Sequence, residues 1–221
     1  IIQGCIEARK KLMIGFKGHE NVDLKKFENY VIPDHAAISL TGEPCLYPKL
    51  HLLIDSFFDD FNFRTVFLVT NGTVPEMLKK FGTESKHFPT NLYMSLEAFD
   101  QESYQKFNNP VDPETWNKVQ ESMKYLSTVK NKTKTILRIT AVKDFNMDKA
   151  KEFVKYIELM QPTHIEIKGY GFLGYSRKRL KEENVPEWEE VKEFSKELTK
   201  LTGYKVTEEH EPSTVIQLSL K

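Results

Sequence analysis

The sequence has few cysteines, no long apolar run and no excess of charge of either sign. Its two cysteines, Cys5 and Cys45, lie far apart and belong to no CxxC pattern. Neither a disulfide framework nor a zinc site is therefore predicted, and no metal ligand is assigned in this chain. This cysteine usage fits a reducing compartment, so a cytoplasmic location is expected. No stretch of about eighteen apolar residues occurs, so no membrane partner is expected.

The charge balance excludes some classes of protein. The 221 residues carry 32 Lys and Arg against 32 Asp and Glu, and 39% are hydrophobic. This composition predicts one globular domain of the larger kind and excludes a disordered tail protein. A zero net charge argues against a protein that binds polyanions over its whole surface. A cluster of cations on one face can still bind a phosphate backbone.

The first residue is Ile1, and residues 1–13 have the spacing of an amphipathic helix without an N-terminal stop signal. We therefore expect the chain to be a fragment.

Strand-like and helix-like segments alternate along the rest of the chain. Short apolar runs end in Gly, Asn or Pro, and segments with apolar residues at helical spacing follow them. The alternation predicts an α/β fold with parallel strands, either a barrel or an open doubly wound sheet. The predicted strands are 36–40, 66–69, 91–96, 135–142, 164–168, 204–207 and 215–218, and the later helices are 22–30, 50–61, 75–81, 101–107, 115–126, 147–160 and 188–201.

Polar residues gather at the C-terminal ends of the predicted strands, where both folds place their ligands. We therefore expect these residues to line a site. They are Ser39, Thr41, Glu43, Thr70, Asn71, Ser95, Glu97, Arg138, Thr140, Lys143, Glu166 and Lys168.

Several motifs occur together and in order. SLTGEP at 39–44 resembles the motif after the second barrel strand of radical S-adenosylmethionine (SAM) enzymes. It is followed by FLVTNGT (67–73), LYMSLEA (92–98), RITAVKDFNM (138–147), IEIKGYGFLGYSRKRL (165–180) and EHEPS (209–213). Together they resemble the tRNA-Phe 4-demethylwyosine synthase family of wybutosine biosynthesis, its archaeal members in particular, over nearly the whole chain.

The resemblance implies a partial (βα)6 radical SAM barrel that lacks its first strand. It implies a lyase that condenses N1-methylguanosine 37 of tRNA-Phe, in the anticodon loop, with pyruvate, using SAM, a 4Fe-4S cluster and an electron donor. The family's CxxxCxxC cluster ligands are absent here and are expected upstream of Ile1, as are those of a possible second 4Fe-4S cluster. The fragment alone is therefore expected to be inactive. Residues 1–221 are predicted to form one core domain, with a substrate or tRNA loop at 169–186 and C-terminal strands at 204–219.

Two departures from the family pattern concern single residues. Glu97 stands where the family usually has Asp, so its carboxylate reaches one methylene further. Asn109 stands where an arginine is usual, which removes any phosphate contact that the arginine would make.

The resemblance implies a cofactor site, and each of its residues also has a structural alternative. Glu43 is predicted to accept a hydrogen bond from the amino group of SAM. Without the resemblance, the Gly42-Glu43-Pro44 segment would be equally well explained as a turn. Arg138 suits the SAM carboxylate because of its guanidinium geometry, or else a salt bridge to Glu97 or Glu166. The full predicted set is Thr41, Gly42, Glu43, Pro44, Thr70, Asn71, Ser95, Glu97, Arg138 and Thr140.

Lys168 is the predicted catalytic lysine, with Lys143 as a weaker alternative. Lys168 ends its strand and precedes a glycine. Its amine can form a Schiff base with pyruvate, pair with the pyruvate carboxylate, or lie on the surface, and the sequence does not separate these roles.

Aromatic and basic residues alternate in the predicted loop. Aromatic rings stack on unpaired bases and cations neutralise phosphates, so this segment is predicted to bind RNA. The residues are Tyr170, Tyr175, Arg177, Lys178 and Arg179. Two other functions stay open: a radical SAM enzyme acting on a peptide or small molecule, and a non-catalytic RNA-binding α/β module.

Overall fold

The computed structural model describes residues 1–220, which form eight α-helices, seven strands and four short 3-10 turns. The helices are α1 (Ile2–Ile14), α2 (Leu24–Tyr30), α3 (Leu50–Asp59), α4 (Pro75–Thr83), α5 (Gln101–Asn108), α6 (Thr115–Thr128), α7 (Ala150–Met160) and α8 (Trp188–Thr202). The strands are β1 (His35–Ile38), β2 (Thr65–Thr70), β3 (Asn91–Leu96), β4 (Lys134–Ala141), β5 (His164–Gly169), β6 (Lys205–His210) and β7 (Val215–Ser219). None of the helices within 1–220 combines the length and the apolar character that crossing a membrane requires.

All seven strands belong to one sheet, in the order β1-β2-β3-β4-β5-β7-β6. The first five are parallel, and each pairs with its neighbour in the sequence. Crossovers between parallel strands are right-handed, so a sheet that grows in one direction receives all its crossover helices on the same face. A doubly wound sheet reverses its direction of growth. The observed order therefore confirms the α/β prediction and favours the partial barrel.

The two faces of this sheet differ in burial. Side chains alternate between buried and half-buried along β2 and β3. The buried side chains, such as Leu68, Leu92 and Ile167, pack under the helices in one continuous apolar core. The half-buried ones point the other way. We call the sheet face that carries Tyr93, Ser95 and their neighbours the open face.

Two boundaries differ from the sequence-based prediction. Strand β1 ends at Ile38 because Leu40 is fully exposed and has a φ of 84°, a left-handed conformation that no strand accommodates. Helix α7 begins at Ala150, not at 147. The segment before it is held by Asn146, whose buried side chain accepts a hydrogen bond from the Val142 N–H and donates to two backbone carbonyls. These bonds replace the first helical turn.

The predicted C-terminal strands form an antiparallel hairpin. Strand β7 pairs with β5, and β6 forms the exposed edge. Charged residues along β6, among them Lys205, Glu208 and Glu209, discourage pairing with further strands. The hairpin thus ends the parallel sheet on this side.

Candidate functional site

The site is built on the C-terminal half of the open face. Residues directly opposite each other in the register form two polar rows across β3, β4 and β5. In the first row, Ser95 lies opposite Arg138, which lies opposite Glu166. In the second row, Thr140 lies opposite Lys168. Five of the residues predicted from the strand ends therefore lie on one continuous surface.

Arg138 is the centre of the first row. Its Nε donates to Glu166 Oε1 at 2.5 Å, and its guanidinium lies 4.6 Å from the centroid of the Tyr93 ring. The Arg138 and Glu166 side chains are only 24% and 14% exposed. Of the two salt bridges named as the structural alternative for Arg138, the one to Glu166 is thus present. The terminal Nη atoms make no hydrogen bond to any residue of 1–220. Both are therefore free to donate together to a carboxylate of a ligand.

Glu97 follows β3 and lies beside the second row. Burial raises the pKa of Glu97 above its ordinary value, while hydrogen bonds from Asn108 and Thr140 and the charge of Arg179 only partly offset that effect. The Asn108 Nδ2 lies 3.4 Å from Glu97 Oε2. Asn146 fixes the Glu97 backbone by donating to its carbonyl at 2.8 Å. A carboxyl with a raised pKa in a polar site can hold a proton where an exposed one would have lost it.

The Glu43 carboxylate connects the loop after β1 to the end of β2. Oε1 accepts from the Cys45 N–H at 2.9 Å and from the Thr70 hydroxyl at 2.6 Å, and Oε2 accepts from the Asn71 N–H at 2.7 Å. A carboxylate has about four acceptor positions, so one remains, on Oε2. Glu43 therefore organises this corner and keeps capacity for one further donor.

Thr70 and Asn71 have structural roles in this corner. The Thr70 side chain is 1% exposed and lies on the helix side of β2, and besides donating to Glu43 its hydroxyl accepts from the Gly72 N–H at 3.0 Å. This placement corrects the expectation that it faces a cofactor, because its hydroxyl is buried and already bonded. Asn71 forms an Asx turn, since its Oδ1 accepts hydrogen bonds from the N–H and the hydroxyl of Thr73.

The other residues of the GEP loop surround the Glu43 carboxylate. Thr41 and Gly42 are exposed, and Gly42 has a φ of 75°, which favours glycine. Pro44 starts a 3-10 turn whose N-cap is Glu43. Burial and the neighbouring Glu43 charge raise the pKa of the Cys45 thiol. Cys45 is therefore held as an uncharged thiol, unsuited to ligating a metal.

The two predicted catalytic lysines differ in their surroundings. Lys168 is exposed on the open face at the end of β5 and makes no ion pair with any residue of 1–220. Lys143 lies beyond the end of β4, where its Nζ lies 2.7 Å from Glu190 Oε1 at the start of α8. Lys168 therefore lies on the open face with the candidate site, whereas the Lys143 amine is taken up by an ion pair with α8.

The predicted RNA-binding residues divide into two groups. Tyr170 is only 8% exposed, and its hydroxyl donates to Ser176 at 2.8 Å, so its ring is not free to stack on a base. Its role is to anchor the loop. By contrast, the Tyr175 side chain is 81% exposed, and Lys178 lies 5.0 Å from its ring centroid. Arg177 and Arg179 are also exposed, and each donates to a backbone carbonyl.

Three residues of the site were absent from the predicted set. Tyr93 supports Arg138, Asn108 bonds Glu97, and Asn146 closes the loop after β4. The strand alternation that placed Ser95 on the open face also places Tyr93 there. No recognised motif marks the two asparagines, because their bonds to Glu97 form only when the loops after β3 and β4 and the end of α5 come together in the fold.

Within 1–220, no group of three or more His, Cys, Asp or Glu side chains is arranged to hold a metal ion. Cys5 is exposed and Cys45 is buried, and both are free thiols.

Comparison with known proteins identifies relatives over the whole chain. The family model described as "Wyosine base formation" matches residues 159–220. The S-adenosyl-L-methionine-dependent tRNA 4-demethylwyosine synthase of Pyrococcus abyssi is 43% identical over 98% of this chain. The chain spans 62% of the length of that relative.

Two solved structures resemble this one. A structure of TYW1 with a lysine-pyruvate adduct bound is 31% identical, with a TM-score of 0.85 over 99% of this chain and 68% of that one. The coproporphyrinogen III oxidase HemN of Escherichia coli, described as a radical SAM enzyme, is 12% identical, with a TM-score of 0.51 over 81% of this chain and 42% of that one. At that identity HemN supports the fold alone, and it supports the predicted partial barrel.

Glu97→Gln tests the raised pKa. Gln removes the charge that burial disfavours, so the variant should have a higher free energy of unfolding than the unmodified protein near neutral pH. The gain should shrink as the pH falls through the raised pKa of Glu97 and vanish below the ordinary value of 4.5, where both states are protonated. Urea unfolding across this pH range measures it.

The exposed Glu158 on α7 offers a matched control, and Glu158→Gln should show no such pH-dependent gain. A gain from Glu97→Gln that is equal at all pH values would contradict the burial argument.

Proposed function

This chain belongs to the family of S-adenosyl-L-methionine-dependent tRNA 4-demethylwyosine synthases, and we propose on that premise that it forms the SAM- and substrate-binding core of such an enzyme. The proposed reaction condenses N1-methylguanosine 37 of tRNA-Phe with pyruvate. The observation that carries the proposal is the open face itself. Within residues 1–220 it offers the free Nη atoms of Arg138, the half-buried carboxyl of Glu97 and a lysine, Lys168, without an ion pair.

The residues present fit the amino acid part of SAM. The free Nη atoms of Arg138 suit its carboxylate, and the remaining acceptor position on Glu43 suits its ammonium group. The β2 end held by Glu43 and the β4 position of Arg138 are two strand spacings apart, or about 10 Å. When bound, SAM supplies the radical chemistry of the reaction. The chain's own residues bind and orient it, with Ser95 and Thr140 available for further hydrogen bonds.

The residues present do not fit an iron-sulfur cluster. Such a cluster needs several thiolates that converge on one point, whereas residues 1–220 contain only one exposed and one buried cysteine. No step of the proposed reaction is therefore assigned to a cluster held by these residues. The cluster, a second cluster and the electron donor stay predictions.

The proposed role of Lys168 is to hold pyruvate through a covalent bond to its amine. A lysine-pyruvate adduct is bound in the related TYW1 structure, and Lys168 is the predicted catalytic lysine that is exposed on the open face of this chain. A Schiff base forms when the amine attacks the ketone carbon of pyruvate and a water molecule leaves. The carboxylate next to Lys168 on the same strand face, Glu166, is already paired with Arg138.

The proposed RNA contact is the exposed part of the segment 171–181. Tyr175 offers a ring, and Arg177, Lys178 and Arg179 offer charge, close to the C-terminal ends of the strands. Lys181 is already paired with Glu183, so it contributes less. This segment therefore forms a cationic rim beside the open face.

Glu43→Gln tests the SAM site. The substitution removes the charge while retaining an oxygen acceptor, and we expect SAM binding to weaken about tenfold to a hundredfold, as for the loss of a charged hydrogen bond. Isothermal titration calorimetry with SAM measures it. Thr70→Val is the matched control, because it removes one bond to Glu43 but leaves the charge in place. Equal losses in the two variants would mean that Glu43 only shapes the loop.

Lys168→Ala and Lys168→Arg together test the pyruvate role. Borohydride should trap pyruvate on Lys168 of the unmodified protein but on neither variant, because a methyl group and a guanidinium do not form a Schiff base. Mass spectrometry of the trapped protein locates the adduct. Lys143→Ala should be trapped as readily as the unmodified protein, since that amine pairs with Glu190. Absence of trapped pyruvate on the unmodified protein, with pyruvate binding that the Arg variant retains and the Ala variant loses, would replace the Schiff base with ionic pairing.

Removing two cations from the rim tests the RNA contact. Arg177→Ala with Lys178→Ala should weaken binding of tRNA-Phe and reduce the slope of log K against log salt by about 1.5. Fluorescence anisotropy over a salt series measures both. Lys196→Ala with Lys200→Ala, two exposed cations of α8, should leave the slope unchanged. Absence of tRNA binding by the unmodified protein would instead favour a peptide or small-molecule substrate.

A further inference from the structure

A small cavity lies between the C-terminal end of α5 and the segment 171–181. Its volume is about 130 Å³, well below the roughly 300–1,000 Å³ of pockets that hold drug-sized ligands. A single planar ring system is the kind of group that such a volume suits. The lining residues are Lys106, Phe107, Phe145, Ser176, Arg179 and Leu180.

Two aromatic rings form one side of the cavity. Phe107 and Phe145 are stacked, with centroids 4.6 Å apart and an interplanar angle of 28°. Both rings are half-buried, so neither is enclosed by the core. Phe145 also contacts Phe99, at 6.1 Å, which belongs to the shell around the core. The aromatic surface is therefore held from beneath while it remains partly open.

The opposite side is held by hydrogen bonds. The Ser176 hydroxyl accepts from the buried Tyr170 and donates to the Leu173 carbonyl. The Arg179 guanidinium donates to the Phe107 carbonyl and so joins the two sides. The cavity does not depend on a freely moving loop.

The cavity is positively charged and lies close to the open face. The two charged lining residues, Lys106 and Arg179, are both cationic and exposed. The charge of Arg179 also acts on Glu97, which lies beside the second polar row. Asn108, the neighbour of Phe107 in the sequence, bonds the same Glu97 side chain. The cavity thus lies next to the site, on the side of the cationic rim.

We propose that this cavity binds one unpaired nucleobase of the RNA substrate, a nucleotide that flanks the one being modified. The base would stack against Phe107 and Phe145, and Lys106 and Arg179 would pair with its phosphates. Aromatic side chains are the usual platform for unstacked bases, and their contacts tolerate any sequence. The inference rests on the proposed function, because it assumes that RNA reaches the open face.

The test uses anticodon stem-loop RNAs in which one residue on either side of the modified guanosine is abasic. With the unmodified protein, removing the base at one flanking position should weaken binding about tenfold. Phe145→Leu keeps the apolar volume but removes the stacking ring. It should weaken binding of the intact RNA to a similar extent and bind intact and abasic RNAs equally.

Two further variants make the outcome decisive. Phe88→Leu changes a half-buried ring that packs on Phe81 before the start of β3, and it should preserve the preference for the intact RNA. Phe107→Leu repeats the test if thermal unfolding shows that Phe145→Leu does not fold. Equal binding of intact and abasic RNAs by the unmodified protein would overturn the cavity proposal and leave the proposed function standing. No binding of the intact RNA at low salt would overturn both.

Discussion

One constraint shapes this molecule: five parallel strands follow each other in sequence order. Since each right-handed crossover returns on the same side, the helices bury one face of the sheet and leave the other without helical cover. Parallel strands are ordinarily buried on both faces and therefore apolar on both. Here β3, β4 and β5 carry Ser95, Arg138 and Glu166 on the uncovered side, a polarity that would be costly inside a core.

Neighbouring residues hold the charged side chains of this site in place but leave some of their hydrogen-bonding positions free for a ligand. Arg138 uses Nε for Glu166 and the flat side of its guanidinium for Tyr93, which leaves its terminal nitrogens free. Glu43 uses three of its acceptor positions to join two strand ends and keeps one. In both cases the scaffold fixes the orientation of the group in advance. Less conformational entropy is then lost when a ligand arrives.

Local patterns were enough to predict most of the fold. Apolar runs and helical spacing located all seven strands and all eight helices of residues 1–220, because each segment's periodicity agreed with its final environment. Strand alternation likewise placed Arg138, Thr140 and Lys168 on one surface. What a single sequence does not contain is the identity of distant partners. The pairing of Lys143 depends on Glu190, 47 positions away, and the backbone of Glu97 is fixed by Asn146, 49 positions away.

The antiparallel hairpin at the edge of the sheet has a consequence for access. Strands β7 and β6 complete a sheet that remains open between β1 and β6 in residues 1–220. The interior of a closed eight-stranded barrel is just wide enough for its own side chains to fill. An open sheet has no such requirement, so Arg138 and Lys168 need not pack against an opposite wall within residues 1–220. The open face is therefore reachable from the side as well as from the strand ends, which is how the proposed RNA substrate would approach it.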